Sequence, residues 1–254
     1  MLFVRASMPS TKAEIYNTSR CDSPILKTVA CKRNLKGYPR MASNADGITP
    51  TTYRYQNAEL NESHGYLLPK VMAVLDRITR EKPDARRIFE LGCGNGSVAN
   101  ALTGSGFAVV GIDASSQGIA QANQRFPALR LAQGSAYDDL AKQFGTFPVV
   151  LSLEVVEHLY YPRKYAANLF ALTEPGGRAI VSTPYHGYWK NLAMAIAGKM
   201  DAHFTALWDD GHIKFWSQKT LRALLMEAGF GEVEFTSAGR IPVLAKSMIA
   251  IARK

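Results

Sequence analysis

The sequence predicts an α/β protein with a mostly parallel sheet, and three observations lead to that fold class. Short apolar segments alternate with helical segments from Tyr53 onward, which is typical of a parallel sheet covered by helices on both faces. A glycine-rich loop follows the first predicted strand. The last two predicted strands are separated only by a turn around Gly239, which indicates a terminal hairpin with an antiparallel strand.

The first half of the body supplies three helix and strand pairs. Apolar residues recur at helical spacing after Pro69, and we expect this proline in the first turn of its helix, where its missing amide is tolerated. The predicted elements are helix 69–80, strand 87–91, helix 97–103, strand 107–112, helix 116–125 and strand 129–132.

The second half continues the alternation and then breaks it. Residues 184–216 are rich in Trp, Tyr, Phe and His, and we interpret them as an insertion that contains an amphipathic helix over 188–197. The other predicted elements are strand 149–153, helix 163–172 closed by Pro175-Gly176-Gly177, strand 178–182, helix 218–228, and strands 232–237 and 243–252.

Composition places the chain among soluble globular proteins. Its 254 residues suit one sizeable domain, and hydrophobic and charged contents of 47% and 20% are ordinary. No apolar run approaches the roughly 18 to 20 residues of a membrane span. Cys21, Cys31 and Cys93 form neither a metal-type pairing nor an even disulfide set, so we expect a reducing compartment and a cytoplasmic location.

The net charge of +9 belongs mainly to the N-terminal segment. Residues 1–40 contain eight Lys and Arg against two acidic residues, a net charge of +6 that leaves +3 for the rest. We predict that residues 1–47 are a disordered, non-catalytic extension and that 48–254 form the catalytic domain. The origin of the extension stays open between an organellar import signal and translation that naturally starts at Met41.

A glycine-rich loop and a following acidic residue predict a nucleoside-type cofactor. The strand that ends in Glu90-Leu91 runs into Gly92-x-Gly94-x-Gly96. These glycines let the main chain approach a ligand closely. Ser97 stands where a nicotinamide or flavin fingerprint has its third glycine, so that spacing fails. Asp113 ends the next strand, where a carboxylate can accept hydrogen bonds from both ribose hydroxyls. A purely structural turn is the alternative for the loop alone.

These motifs resemble the class I S-adenosylmethionine-dependent methyltransferases over about residues 55–254. Glu90 to Gly96, Gly111-Ile112-Asp113 and Pro175-Gly176-Gly177 carry the resemblance. It implies a Rossmann-like sheet of seven strands with an antiparallel last strand, and S-adenosylmethionine as cofactor. Ser135 departs from the pattern, because many relatives have an acidic residue there. The implied cofactor-binding residues are Glu90, Gly92, Gly94, Gly96, Asp113, Ala136 and Leu153.

A Glu-x-x-Glu-His segment leaves the fourth predicted strand at the edge where open α/β sheets bind ligands. If a helical turn follows, Glu154, Glu157 and His158 converge beside the cofactor. The alternative is a polar loop whose glutamate stabilises a helix start.

The same segment resembles the methyltransferases of ubiquinone biosynthesis and the small-RNA 2′-O-methyltransferases, in which it binds a divalent metal with a downstream histidine. His212 matches that histidine. The implied metal ligands are Glu154, Glu157, His158 and His212, for Mg²⁺ or Mn²⁺, with Zn²⁺ and Fe²⁺ as weaker fits. Glu157, His158 and His212 are the predicted catalytic residues, and without a metal either histidine could serve as general base.

The remaining signals concern the acceptor. His186 follows the fifth strand and is a candidate substrate contact, whereas His64 suggests packing or capping and His203 a surface or packing residue. The insertion could be a lid, or an apolar roof that contacts a membrane surface. Its lysines form no phosphate track and no RNA-binding module is recognisable, so we expect no specific nucleic acid.

The leading hypothesis is therefore a small-molecule O-methyltransferase that acts on a phenolic or catechol-like hydroxyl, with or without a divalent metal. The alternatives are N-, S- or C-methylation of another metabolite, methylation of a terminal RNA ribose, and a cofactor-binding regulator without catalysis. The sequence makes no prediction of oligomeric state.

Overall fold

The computed structural model describes residues 55–204, 206, 208 and 211–254, so the predicted extension 1–47 lies outside the described residues. The strands are β1 (Arg87–Leu91), β2 (Ala108–Asp113), β3 (Arg130–Gln133), β4 (Phe147–Leu153), β5 (Thr173–Pro184), β6 (Glu232–Ala238) and β7 (Ser247–Arg253). The helices are α1 (Glu62–Glu81), α2 (Ser97–Gly104), α3 (Ser116–Arg125), α4 (Leu140–Phe144), α5 (Pro162–Leu172), α6 (Tyr188–Ile196), α7 (Met200–Phe204) and α8 (Gln218–Glu227), with 3₁₀ turns at Val156–His158 and Pro242–Leu244.

The strands form one seven-stranded sheet in the order β3-β2-β1-β4-β5-β7-β6. The first five strands are mutually parallel, while β7 is antiparallel to both β5 and β6. This topology confirms the predicted fold class. The strand order reverses between β1 and β4, and open α/β sheets bind ligands in the crevice outside the carboxyl ends of such neighbours.

The core lies in two apolar layers, one on each face of the sheet. All seven residues of β4 are buried, because helices cover both faces of this central strand. Tyr165 from α5 and Phe89 from β1 are among the largest fully buried side chains of one layer, and Leu67 and Leu75 from α1 belong to the other. The central strands are therefore fixed from both sides, which makes their carboxyl ends a rigid platform for a site.

The first helix begins earlier than the sequence predicts, and the expected place of Pro69 is wrong. α1 begins at Glu62, because the Asn61 side chain accepts from the His64 amide while His64 Nδ1 accepts from the Asn61 amide. Pro69 lies inside the helix. The reciprocal cap starts the helix about two turns before the proline.

Other boundaries also differ. β5 begins at Thr173, so the predicted Pro175-Gly176-Gly177 turn is an irregular part of the strand, and the pairing with β4 shifts register there. β7 begins at Ser247 rather than 243, since Pro242–Leu244 forms a 3₁₀ turn. The five-residue α4 is too short for sequence periodicity to reveal. Among the described helices, none is both long and apolar enough to cross a membrane.

Candidate active site

The carboxyl ends of β1, β2 and β4 open into one cavity of about 450 Å³. Its lining includes the glycine loop, the end of β2, the segment that follows β4, and residues of the predicted insertion. Among the predicted site residues, those that line it are Glu90, Gly92, Gly94, Asp113, Ala136, Leu153, Glu154, His158 and His212. Two of the eleven predicted site residues, Gly96 and Glu157, are not part of the lining.

The glycine loop is folded in a way that requires glycine. Gly92, Gly94 and Gly96 all have positive φ values, of 87°, 52° and 75°. The amides of Gly92 and Cys93 donate to the carbonyl of Ile112 at 2.8 and 2.9 Å, which ties the loop to β2. A Cβ atom at Gly92 would collide with the side chain of Val155. The main chain therefore reaches the cavity directly.

Asp113 is held in one orientation at the end of β2. Its Oδ1 accepts from the Ser115 amide at 2.7 Å and its Oδ2 from the Gly94 amide at 2.9 Å. Burial raises the pKa of this carboxyl, although the two amides act in the opposite direction. Each oxygen keeps a further lone pair, so the carboxylate can accept from both hydroxyls of a ribose.

Glu90 supplies a second carboxyl beneath the loop. It is buried, and its Oε2 finds no hydrogen-bond partner among the described residues. Burial, followed by the charge of Asp113, raises the pKa of Glu90 to about 8. An unsatisfied buried oxygen calls for a cation or a donor from a ligand, and the amino group of S-adenosylmethionine is such a cation. The donor set therefore fits this cofactor.

The buried thiol of Cys93 lies in the same loop. A Cβ atom at Gly111 of β2 would come within 2.8 Å of Cys93 Cβ, so this contact is close. Burial, together with the nearby Glu90 and Asp113, raises the pKa of the thiol well above its usual range. Cys93 therefore packs as an uncharged apolar group.

A carboxylate and two imidazoles meet on the other side of the cavity. One ligand atom from each of Glu157, His158 and His212 lies within 4.8 Å of the others. His158 Nδ1 lies 3.2 Å from the carbonyl oxygen of Gly211 and donates a proton to it, because a carbonyl oxygen can only accept. The Glu157 carbonyl accepts from the amides of Ile213 and Lys214, both at 2.9 Å, and thereby holds His212 next to the 3₁₀ turn.

Burial shifts the pKa values of two members of this group, Glu157 and His212, in opposite directions. Glu157 is fully buried, and neither carboxylate oxygen has a hydrogen-bond partner within the described part of the chain. Burial, and next the charge of Glu154, raises the pKa of Glu157 well above its usual range. Burial lowers the pKa of His212 to about 4, so this imidazole is neutral at pH 7. A carboxylate and two imidazoles are a donor set that fits a divalent cation, which would satisfy the orphaned oxygens of Glu157.

Glu154 does not join the other three predicted metal ligands. Its φ of 53° turns the chain sharply after β4, and its carboxylate accepts from Ser182 Oγ at 2.7 Å and Ser247 Oγ at 3.3 Å. Burial raises its pKa to about 7. The structure thus brings together three of the four predicted ligands and anchors the fourth to β5 and β7.

The remaining histidines divide differently from the sequence interpretation. His64 forms part of the α1 cap, as expected, and also lines the cavity. His203, expected to pack, lines the cavity as well. His186, the predicted substrate contact, stacks on Phe204 with ring centroids 5.8 Å apart and lies near Phe215 at 5.1 Å. It therefore packs among aromatic side chains of the insertion.

Sequence reasoning missed Tyr55 and placed Trp208 only within the insertion that could roof the acceptor, and both residues line the cavity. Trp208 lies edge-on to His158 and tilted against His212, with centroid distances of 6.1 and 5.4 Å. Its place in an aromatic-rich insertion was a weak signal. Tyr55 precedes the first helix, and nothing in the local pattern marks it.

Comparison with protein families finds that the methyltransferase domain model matches residues 63–234. The ubiquinone biosynthesis O-methyltransferase of Caulobacter vibrioides is 30% identical over 191 residues, which cover 69% of this chain and 74% of that protein. The protein of the same name from Caulobacter sp. strain K31 is 33% identical over 136 residues, and the match spans about half of each chain, 52%.

Comparison with solved structures supports the fold alone, because the identities are low. The methyltransferase domain of bacterial CtHen1-CN has a TM-score of 0.56 and 22% identity, covering 74% of this chain and 97% of that one. Magnesium protoporphyrin IX methyltransferase from Synechocystis PCC 6803, with bound S-adenosylhomocysteine, has a TM-score of 0.51 and 22% identity, covering 74% and 81%.

Proposed function

Because the chain belongs to the methyltransferase domain family, as an S-adenosylmethionine-dependent enzyme, we propose that it methylates a hydroxyl of a phenolic or catechol-like small molecule. The observation that carries the proposal is the group of Glu157, His158 and His212 in and beside the cofactor cavity. The names of its relatives support O-methylation as the reaction type.

The donor side needs only to bind and orient. S-adenosylmethionine supplies a methyl group on a sulfonium, which is already an activated electrophile. The glycine loop and Asp113 fix the position of the nucleoside, and Glu90 presents a carboxyl for the amino group. Rigid placement of this kind contributes by bringing donor and acceptor into line.

The acceptor side must hold a hydroxyl and remove its proton. Glu157, His158 and His212 would hold a divalent cation, whose charge lowers the pKa of a bound hydroxyl. In the metal-free alternative, His158 or His212 accepts the hydroxyl proton while the oxygen–methyl bond forms and the sulfur–methyl bond breaks. Either route ends with a methyl ether and S-adenosylhomocysteine.

The walls of this side favour a ring-shaped acceptor. Trp208 and His203 line the cavity next to the ligand group, and aromatic faces pack well against a phenol. A small-molecule acceptor without specific nucleic acid, a peripheral membrane contact and a cytoplasmic location stay predictions.

The test is methyl transfer from labelled S-adenosylmethionine to a simple catechol, after EDTA treatment and again after Mg²⁺ or Mn²⁺ is restored. We expect activity to disappear with the chelator and to return with either ion. Calorimetric binding of S-adenosylhomocysteine in EDTA is the control and should not change. Full turnover in EDTA would contradict the metal, and label that appears only on amine, thiol or RNA acceptors would contradict the proposed acceptor.

A further inference from the structure

Residues 55–60, which we call the strap, lie against the glycine loop and α3 before α1 begins. The Tyr55 amide donates to Gln117 Oε1 at 3.0 Å, and Gln117 Nε2 donates back to the Tyr55 carbonyl at 2.8 Å. Gln121 Nε2 donates to the same carbonyl at 3.0 Å. The start of the strap is therefore bound to one face of α3.

The glycine loop itself holds the other end of the strap. Asn95, buried between Gly94 and Gly96, donates from Nδ2 to the carbonyls of Asn57 and Glu59 at 2.8 and 3.0 Å. Its Oδ1 accepts from the Ser97 hydroxyl at 2.8 Å, which fixes the orientation of the amide. The Asn95 side chain thus connects the glycine loop to the strap.

The Tyr55 ring lies in the wedge between the loop and the first turn of α3. A Cβ atom at Gly94 would collide with the Tyr55 phenol, and one at Gly118 would come within 2.9 Å of the ring. The same Gly94 donates its amide to Asp113 Oδ2. Gly94 therefore adjoins both Tyr55 and Asp113, and both of these residues line the cavity, so the ring lies near the carboxylate that would receive a ribose.

We propose that the strap is a wall of the methyl-donor site and that Tyr55 is a donor-binding residue at the ribose end. The proposal rests on the assignment of this cavity to S-adenosylmethionine. An aromatic ring near the carboxylate excludes water from its hydrogen bonds to the ribose and so strengthens them.

Calorimetric titration with S-adenosylhomocysteine, and separately with adenosine, tests the proposal. Adenosine contains the ribose but no amino-acid end. We expect Tyr55→Ala to weaken both ligands by the same factor, roughly tenfold. Tyr160→Ala, which truncates an exposed tyrosine that does not line the cavity, is the matched control and should leave both affinities unchanged.

A second variant guards against misfolding. Gln117 is exposed, so Gln117→Ala should preserve the fold while removing two hydrogen bonds to Tyr55. We expect it to weaken S-adenosylhomocysteine about threefold. Hydrogen exchange in wild-type protein should also slow at the strap amides when S-adenosylhomocysteine binds.

The outcomes separate the strap from the proposed function. If folded Tyr55→Ala binds S-adenosylhomocysteine as tightly as wild type, or strap exchange ignores the ligand, the strap proposal is overturned. Weakening of S-adenosylhomocysteine but not of adenosine would remove Tyr55 from the ribose end. If wild-type protein binds neither ligand, the cofactor assignment fails instead.

Discussion

The two sides of the cavity differ in the chemical groups that they present to a ligand. The donor half consists of the glycine loop, the end of β2 and the strap, and it presents main-chain amides and positive-φ glycines held by well-formed hydrogen bonds. The acceptor half consists of the turn 156–158, α7 and the described residues of 205–216. It presents side chains, among them the buried carboxylate of Glu157, which has no hydrogen-bond partner in the described part of the chain.

This difference teaches where binding and chemistry reside. A main-chain cradle suits a ligand that must be held in one place, because its geometry is fixed by the fold. Unsatisfied side chains suit a step in which charge moves, because a cation or proton can complete them. We therefore expect substitutions in the two halves to separate donor affinity from turnover.

The largest separation is expected from Glu157→Gln. The amide retains the size of the carboxyl but cannot offer an anionic ligand, so turnover with a catechol should fall by at least about 100-fold. Affinity for S-adenosylhomocysteine should stay within about twofold, since the donor half is untouched. Initial rates and calorimetry measure the two quantities.

Glu227→Gln is the matched control for that substitution. Glu227 is an exposed carboxylate on α8 that pairs with Arg163, so its loss should affect neither quantity. A Glu157→Gln enzyme with wild-type turnover would refute the division into halves, as would an equal loss of donor affinity.

A pair of glycines compares the halves directly. Gly94→Ala should weaken S-adenosylhomocysteine roughly tenfold, because the new Cβ must displace Tyr55. Gly198, between α6 and α7, has a similar positive φ of 63°, but no atom of the described residues lies within 4 Å of a new Cβ. Gly198→Ala should therefore lower only stability, by about 1 kcal/mol from backbone strain. Equal donor affinities for the two variants would contradict the comparison.

Glu90 should give the donor half a pH dependence. Its pKa of about 8 means that the free protein holds this carboxyl mostly protonated at pH 7. The amino cation of the donor favours the ionised form, so binding releases a proton and affinity rises with pH until about 8. Between pH 7 and 8 we expect about a fivefold rise. Glu90→Gln should lose this rise in donor affinity between pH 7 and 8. Identical pH profiles of affinity for the variant and the wild type would exclude Glu90 as the titrating group.

The smallest effect concerns the outer face of α6. Trp189 and Ile196 are 63% and 80% exposed, and Lys190 and Lys199 lie nearby in the chain. If this face contacts an anionic membrane, Trp189→Ala should reduce co-sedimentation with phosphatidylglycerol vesicles roughly threefold. Donor affinity should not change. Met226→Ala, which truncates an exposed apolar residue on α8, is the control, and an equal reduction there would argue against a specific face.

The same contrast explains what could be predicted from the sequence. The fold and the donor half depend on local patterns, because alternating apolar segments define strands and a glycine loop needs glycine at fixed spacing. Glu90, Asp113 and the loop therefore lie where the pattern placed them. Pro69 was misplaced because a polar cap, rather than the proline, decides where α1 begins.

The acceptor half depends on contacts between distant segments. The amides of Ile213 and Lys214 donate to the Glu157 carbonyl, although they lie far along the chain from it. Ser182 and Ser247 donate to the Glu154 carboxylate from β5 and β7, which only the folded sheet brings close to it. No local spacing could have distinguished Glu154 from the other ligands. The place of Tyr55 could not be predicted for the same reason, because its partners Gln117 and Gln121 lie far along the chain.

The thiol in the glycine loop gives the enzyme a consequence for redox chemistry. Thiolates, rather than thiols, react with peroxides and alkylating agents, and Cys93 is both buried and held protonated by its surroundings. The thiol that lines the proposed donor cavity is therefore a poor nucleophile. The loop is protected from self-methylation and from oxidative damage without giving up the small, apolar side chain that its packing against β2 requires.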